Sequence, residues 1–117
     1  MKVLLLVLTS FSVIAACTEP SLNEGSSEPS EATRAQIEAV NEQTFSCVAT
    51  KARQYAATPG SPMELGMLAA SACQTYINES ARVYAAGNPR VEAMNRESFK
   101  ESMTEAAARM IVERRAN

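Results

Sequence analysis

The chain contains no histidine, no aspartate and no tryptophan. Without histidine, the commonest general base and the commonest metal ligand are both missing. Without aspartate, a Ser-His-Asp relay is excluded, as is a calcium loop that needs several Asp or Asn ligands. Any catalysis would have to come from Glu, Tyr, Lys, Arg, Ser and Cys. Basic charge is also scarce. With 11 Lys and Arg against 13 acidic residues, the formal net charge is −2, which gives no footprint for nucleic acid. Aromatics make up only 5 % of the residues, so a core must rest on small aliphatic side chains. β-branched residues cluster only near the N-terminus, and no strand is expected.

What is present begins with an address. Met1-Lys2 is a short positive start, and Val3 to Ile14 is an apolar run broken only by Thr9, Ser10 and Ser12. That run is short of the ~20 residues a membrane-spanning helix needs. It fits the core of a signal peptide followed by small residues. Ile14-Ala15-Ala16-Cys17 then resembles the lipobox of bacterial lipoproteins, in which an aliphatic residue and two small residues precede a cysteine. The resemblance covers the first 17 residues only. It implies that residues 1–16 are removed and that Cys17 carries a diacylglyceryl anchor as the new N-terminus. Each buried acyl methylene adds roughly 0.8 kcal/mol of membrane affinity, so several chains anchor firmly. Thr18 stands where an Asp would imply retention at the inner membrane, so the resemblance points to the outer membrane, facing the periplasm. The other reading of the segment is an ordinary secretory signal cleaved near Ala16, leaving a free Cys17 and a protein released to the periplasm.

Residues 17–29 then read as a tether. The stretch carries Glu19, Glu24 and Glu28, Pro20, Pro29 and three serines, with no basic residue and one leucine. It has too little apolar surface to offset the entropy of ordering.

Residues 30–117 read as one all-α domain, a small three-helix bundle with helices at about 30–57, 62–86 and 89–115. Cys47 and Cys73 are symmetric about Gly60, inside Thr58-Pro59-Gly60-Ser61-Pro62. If two helices fold back antiparallel around that turn, the two cysteines face each other. An even pair in an oxidising compartment reads as a disulfide, with two buried free thiols as the alternative. They lack the Cys-x-x-Cys spacing of a redox pair. The staple would contribute roughly 3–4 kcal/mol in the chain-entropy model, comparable with the net stability of so small a domain.

The first helix places Ile37, Val40, Thr44, Phe45, Val48, Ala52 and Tyr55 on one face. Asn41 and Thr44 are polar within that arc and need partners. Ser61-Pro62-Met63-Glu64 reads as a capping box with proline at the first helical position. The second helix has the widest apolar arc. Leu65, Leu68, Ala69, Ala72, Tyr76 and Val83 form its main stripe, extended by Gly66, Ala70, Ile77 and Tyr84. This predicts a central helix flanked by the other two, ending at Gly87 ahead of Pro89. The third helix has a stripe of Phe99, Met103, Ala106 and Met110. Val91 and Met94 fall out of phase with it, which predicts a break near Asn95.

No catalytic, metal or cofactor site is expected. Met63 and Met67 point away from the second helix's main stripe. With Met94, Met103 and Met110 they offer thioethers for Cu(I), or ordinary core filler. Glu97, Glu101 and Glu105 are four apart but share their helix with Arg96, Lys100 and Arg109, as a solvated face does. Tyr76 and Tyr84 read as core residues or contacts. Ile111 and Val112 lie outside the third helix's stripe beside Arg109, Arg114 and Arg115. Apolar residues rimmed by charge can mark a partner surface, so Ile111, Val112, Arg114 and Arg115 are the candidate contact residues. The expected function is protein–protein contact at the bacterial envelope, in a structural, accessory or inhibitory role. The alternative is a periplasmic metal- or small-ligand-binding module.

Overall fold

A computed structural model describes residues 31–117. The expected signal, Cys17 and the tether lie outside the described residues. Within them the chain is all-helical, in the order α1 (Glu31–Ala56), α2 (Pro62–Ala72), α3 (Gln74–Ala85) and α4 (Pro89–Ala116). Four helices thus stand where the sequence pattern predicts three.

The extra boundary is a single residue. Cys73 has φ −104° and ψ 15°, and it ends α2 and begins α3. Its N–H still reaches the Ala69 and Ala70 carbonyls, and its carbonyl accepts from Tyr76 and Ile77. Burial runs through the junction without a change of face. Gly66, Ala70, Cys73, Ile77 and Ser80 are all buried, at helical spacings of four and three.

Cys47 of α1 and Cys73 are joined by a disulfide, with Cα atoms 6.0 Å apart. The bond fastens α1 to the α2–α3 junction. Around Cys73 lies the core cluster of Val48, Ala52, Leu65, Ala69, Ala107 and Ile111, with Cys47, Tyr55, Met103 and Met110 packed at its edge. α4 packs against α1 as well as against α2 and α3. The expected arrangement, a central second helix separating the outer two, is therefore replaced by a closed three-cornered bundle.

The ends of the elements follow from local chemistry. Ser61 Oγ accepts from the Glu64 N–H, and the Glu64 carboxylate accepts from the Ser61 N–H, so both halves of the capping box form. Gly60 holds φ +140°, open to glycine and strained for other residues. Asn88 caps α4, its Oδ1 accepting from the Arg90 and Val91 N–H groups, and Pro89 occupies the first helical position.

α3 ends on a left-handed residue one position earlier than the sequence suggests. Ala86 has φ +49°, followed by Gly87 at +87°. A side-chain-bearing residue pays roughly 1–2 kcal/mol in that region. Ala86→Gly is therefore expected to stabilise the domain, by about 0.5 kcal/mol after the extra chain entropy of glycine is set against the relief. Urea midpoints measure this; a destabilised variant would contradict it.

The face of α2 differs from the apolar arc. Leu68 and Tyr76 are about half-exposed and Ala72 is exposed, while Gly66, Ala69, Ala70, Cys73 and Ile77 are inside. The reason is closeness of approach. A Cβ on Gly66 would lie 2.6 Å from the Thr104 carbonyl oxygen and 3.1 Å from the Ala108 nitrogen. α2 and α4 touch backbone to backbone there, and large side chains are pushed to the flanks. The same effect centres α4 on Thr104, Ala107, Ala108 and Ile111. Phe99, Met103, Ala106 and Met110 lie half-buried beside them.

The expected break near Asn95 is absent. α4 is continuous, and Asn95 Nδ2 donates to the Ala81 carbonyl rather than capping a new helix. Val91 and Met94 fall out of phase because they are exposed.

Candidate functional site

The bundle carries open grooves along its helix seams, and two of them collect features that core packing does not absorb. The first lies between α2 and α4 and has a volume of about 630 Å³. Met63 and Pro62 come from the start of α2. Glu105, Ala108, Arg109, Val112 and Glu113 come from α4. Met63 is 51 % exposed and Val112 52 %. Met67, one turn on from Met63, is 55 % exposed. Met63 and Val112 are thus two large apolar side chains left in water on facing helix edges, while Met67 is exposed outside the groove lining. The cause is the glycine contact: once Gly66 sits on the α4 backbone, the next residues out on each helix cannot reach the core. Glu105, Arg109 and Glu113 line the same edge of α4 at intervals of four, alternating in sign. A groove of this composition can take the apolar side chains of a partner and fix their register by charge.

The candidate contact residues do not share one surface. Val112 lines this groove. Ile111 is wholly buried in the core cluster, so it is not a contact residue; at helical spacing it follows Thr104 and Ala107 on the inward face. Arg114 is exposed. Arg115 is used internally: its guanidinium donates to the carbonyls of Ala56 at 3.1 Å, Thr58 at 2.6 Å and Gly60 at 3.0 Å. The end of α4 thus clasps the turn between α1 and α2, where the carbonyls at the C-terminus of α1 attract positive charge. Arg115→Ala is expected to lower stability by about 1–2 kcal/mol, since charge-assisted hydrogen bonds are the stronger kind but these are exposed. Arg115→Lys recovers less than half of the loss, because an ammonium cannot span three carbonyls as a planar fork does. Equal stability of the Arg, Lys and Ala forms in urea would contradict the clasp.

The second groove, of about 420 Å³, lies between α1, α3 and α4. Its floor resolves the polar residues within the α1 stripe. The Thr44 hydroxyl donates to the Val40 carbonyl at 2.7 Å, and Ser80 Oγ lies 2.9 Å from Thr44 Oγ1. Among the described residues no buried side-chain polar atom lacks a partner. Asn41 Nδ2 donates to Tyr84 Oη at 2.8 Å. Tyr84 meets Phe99 edge to face, with ring centroids 5.3 Å apart and planes at 78°. Phe45 is half-exposed at the same groove rather than buried. Sequence reasoning placed Phe45 and Phe99 in the core. The signal that pointed here was the pair of polar residues, Asn41 and Thr44, on an apolar face.

The Arg82 guanidinium, hydrogen-bonded to Glu79, holds that carboxyl below its ordinary value, and Arg82 is raised in return. The stability this pair contributes is present above the unfolded carboxyl pKa and is lost as pH falls through the lower folded value. Both groups face water, so the contribution is small. Glu92 and Arg96 form a second ion pair on α4. Of the described methionines, Met103 and Met110 pack on the core cluster, while Met63, Met67 and Met94 are exposed. Among the described residues there is no group of three or more His, Cys, Asp or Glu placed to hold a metal ion. No described helix is long and apolar enough to cross a membrane.

The described residues form an all-α domain with an interhelical disulfide and amphipathic grooves along its helix seams. No protein-family model matches the chain, and no curated protein or solved structure matches it significantly.

Proposed function

We propose that this protein is a lipid-anchored component of the bacterial envelope that acts by protein–protein contact through the α2–α4 groove. The observation that carries the contact reading is the pair Met63 and Val112, each more than half exposed and lining the groove beside the alternating charges of Glu105, Arg109 and Glu113. Apolar side chains grouped in this way on a small domain are costly to leave in water and mark a surface that another molecule covers. The anchoring reading rests on the lipobox-like Ile14-Ala15-Ala16-Cys17. An interhelical disulfide suits an exported protein, because reducing compartments keep such thiols apart. The tether of residues 17–29 would give the domain reach from the membrane surface.

The anchoring half is tested by Cys17→Ser. The variant is expected to accumulate as uncleaved precursor or to leave the membrane fraction; normal processing and retention would sink the assignment. The contact half is tested by native-gel size after mild detergent extraction. Wild type is expected to migrate in a complex larger than its own monomer, and Val112→Glu to fall back to the monomer. Gln54→Glu, on the exposed side of α1, should behave as wild type. Identical migration of all three as monomers would contradict the reading.

A further inference from the structure

We infer that the groove between α1, α3 and α4 binds a neutral sugar ring. The whole chain has three phenylalanines and three tyrosines, and three of those six, Phe45, Tyr84 and Phe99, line this one groove. Each comes from a different helix, so the ring surfaces meet only in the folded bundle. Tyr84 is held in place twice, by its edge-to-face contact with Phe99 and by the hydrogen bond from Asn41. That bond occupies the phenol oxygen as an acceptor and leaves its hydrogen free to donate. Asn41 keeps its amide oxygen to accept. Asn95, whose Nδ2 donates to the Ala81 carbonyl, likewise keeps its amide oxygen. Ser102, exposed at the same groove, can do both.

The lining restricts the ligand by chemistry. It contains no acidic and no basic side chain, so an ionic ligand would lose its hydration with no counter-charge to replace it. A purely apolar occupant would cover the polar atoms of Asn41, Tyr84 and Asn95 without replacing their water. A neutral ring bearing hydroxyl groups meets both demands. Its C–H face packs on aromatic rings, and each hydroxyl donates and accepts. The volume of about 420 Å³ lies in the lower part of the roughly 300–1,000 Å³ that small-ligand clefts occupy. The site lies on α1, α3 and α4, and shares no lining residue with the α2–α4 groove.

The test is an NMR titration of the full disulfide-bonded chain with glucose and N-acetylglucosamine, and with glucuronate as the charged counterpart. At least one neutral sugar is expected to give saturable shifts at the rings of Phe45, Tyr84 and Phe99, with at least tenfold weaker binding of glucuronate. Tyr84→Phe keeps the ring and removes the donor, and is expected to weaken the neutral sugar at least fivefold with helicity unchanged. Gln54→Glu, on the exposed side of α1 and outside both grooves, should leave the titration as in wild type. The inference is overturned by no saturable shift with either neutral sugar, by equal affinity for glucuronate, or by unchanged binding in Tyr84→Phe.

Discussion

Opening the Cys47–Cys73 bond is expected to lower the thermal midpoint by on the order of 15 °C. The bond closes a segment with a sequence separation of 26, worth roughly 3–4 kcal/mol in the chain-entropy model. For a domain of this size each kcal/mol moves the midpoint by about 4–8 °C. The two wholly buried side chains largest by volume are Ile77 and Ile111, with Val48 and Cys73 next. Such a core supplies only a few kcal/mol net, so the cross-link is of the same order as the whole stability. The loss should come from the link itself. Once reduced, Cys73 remains in the core as a small hydrophobic side chain. Cys47→Ala, which leaves Cys73 in place, should therefore match the reduced wild type within about 1 kcal/mol. Circular dichroism melts with and without a phosphine reductant, with thiol titration to show that the bond has opened, decide the matter. An unchanged midpoint with two free thiols would mean that the helices hold without their staple.

Gly66→Ala is expected to cost about 2 kcal/mol, although alanine is the better helix former by roughly 1 kcal/mol. Two effects oppose each other here, and the contact geometry decides the sign. The added methyl would meet the Thr104 carbonyl oxygen at 2.6 Å, the Ala108 nitrogen at 3.1 Å and the Ala108 Cβ at 3.2 Å. The first two are backbone atoms of α4 and cannot rotate aside. Relief requires α2 and α4 to move apart, which loosens Leu65, Ala69, Ala107 and Ile111 together. Overpacking of this kind costs typically 1–3 kcal/mol, and with no flexible side chain to yield, the upper end is expected before the helix preference is subtracted. The net effect is a midpoint lower by on the order of 10 °C. A stabilised variant would show that the helices sit further apart than this close contact allows.

These two positions also mark where the sequence could and could not be read. The cysteine pair, symmetric about Gly60, and the Ser61–Glu64 cap were legible because each depends on local spacing or on a local hydrogen bond. The inward face of α1 was legible for the same reason: Val40, Thr44, Val48 and Ala52 repeat at helical intervals, and all are buried. The faces of α2 and α4 were not. Ranking residues by size placed Leu68 and Tyr76 inside and left Ile111 outside, and the structure reverses all three. In helices this rich in alanine, burial is set by how closely backbones approach. That distance depends on which small residues meet across the seam, Gly66 against Thr104 and Ala108, and no single helix contains that information. The same ignorance of pairing turned exposed Val91 and Met94 into an apparent kink, and hid the one-residue junction at Cys73. Of the candidate groove, the exposure of Val112 was legible; Met63 was read, with Met67, only as a thioether ligand or core filler, although its outward direction on α2 was visible. The use of Arg115 as a clasp on the turn was not, because it joins residues more than fifty positions apart.

The role of the α2–α4 groove is tested most directly by site-specific photo-crosslinking in living cells. A photoreactive phenylalanine is placed singly at Met63 and Val112, and at Glu38 and Gln54 on the exposed side of α1. The two groove positions are expected to give one and the same crosslinked band from the membrane fraction, absent at positions 38 and 54 and lost when Arg109→Glu is combined with the probe at Val112. Equal crosslinking at all four positions, or none at the two groove positions while positions 38 and 54 react, would contradict that role.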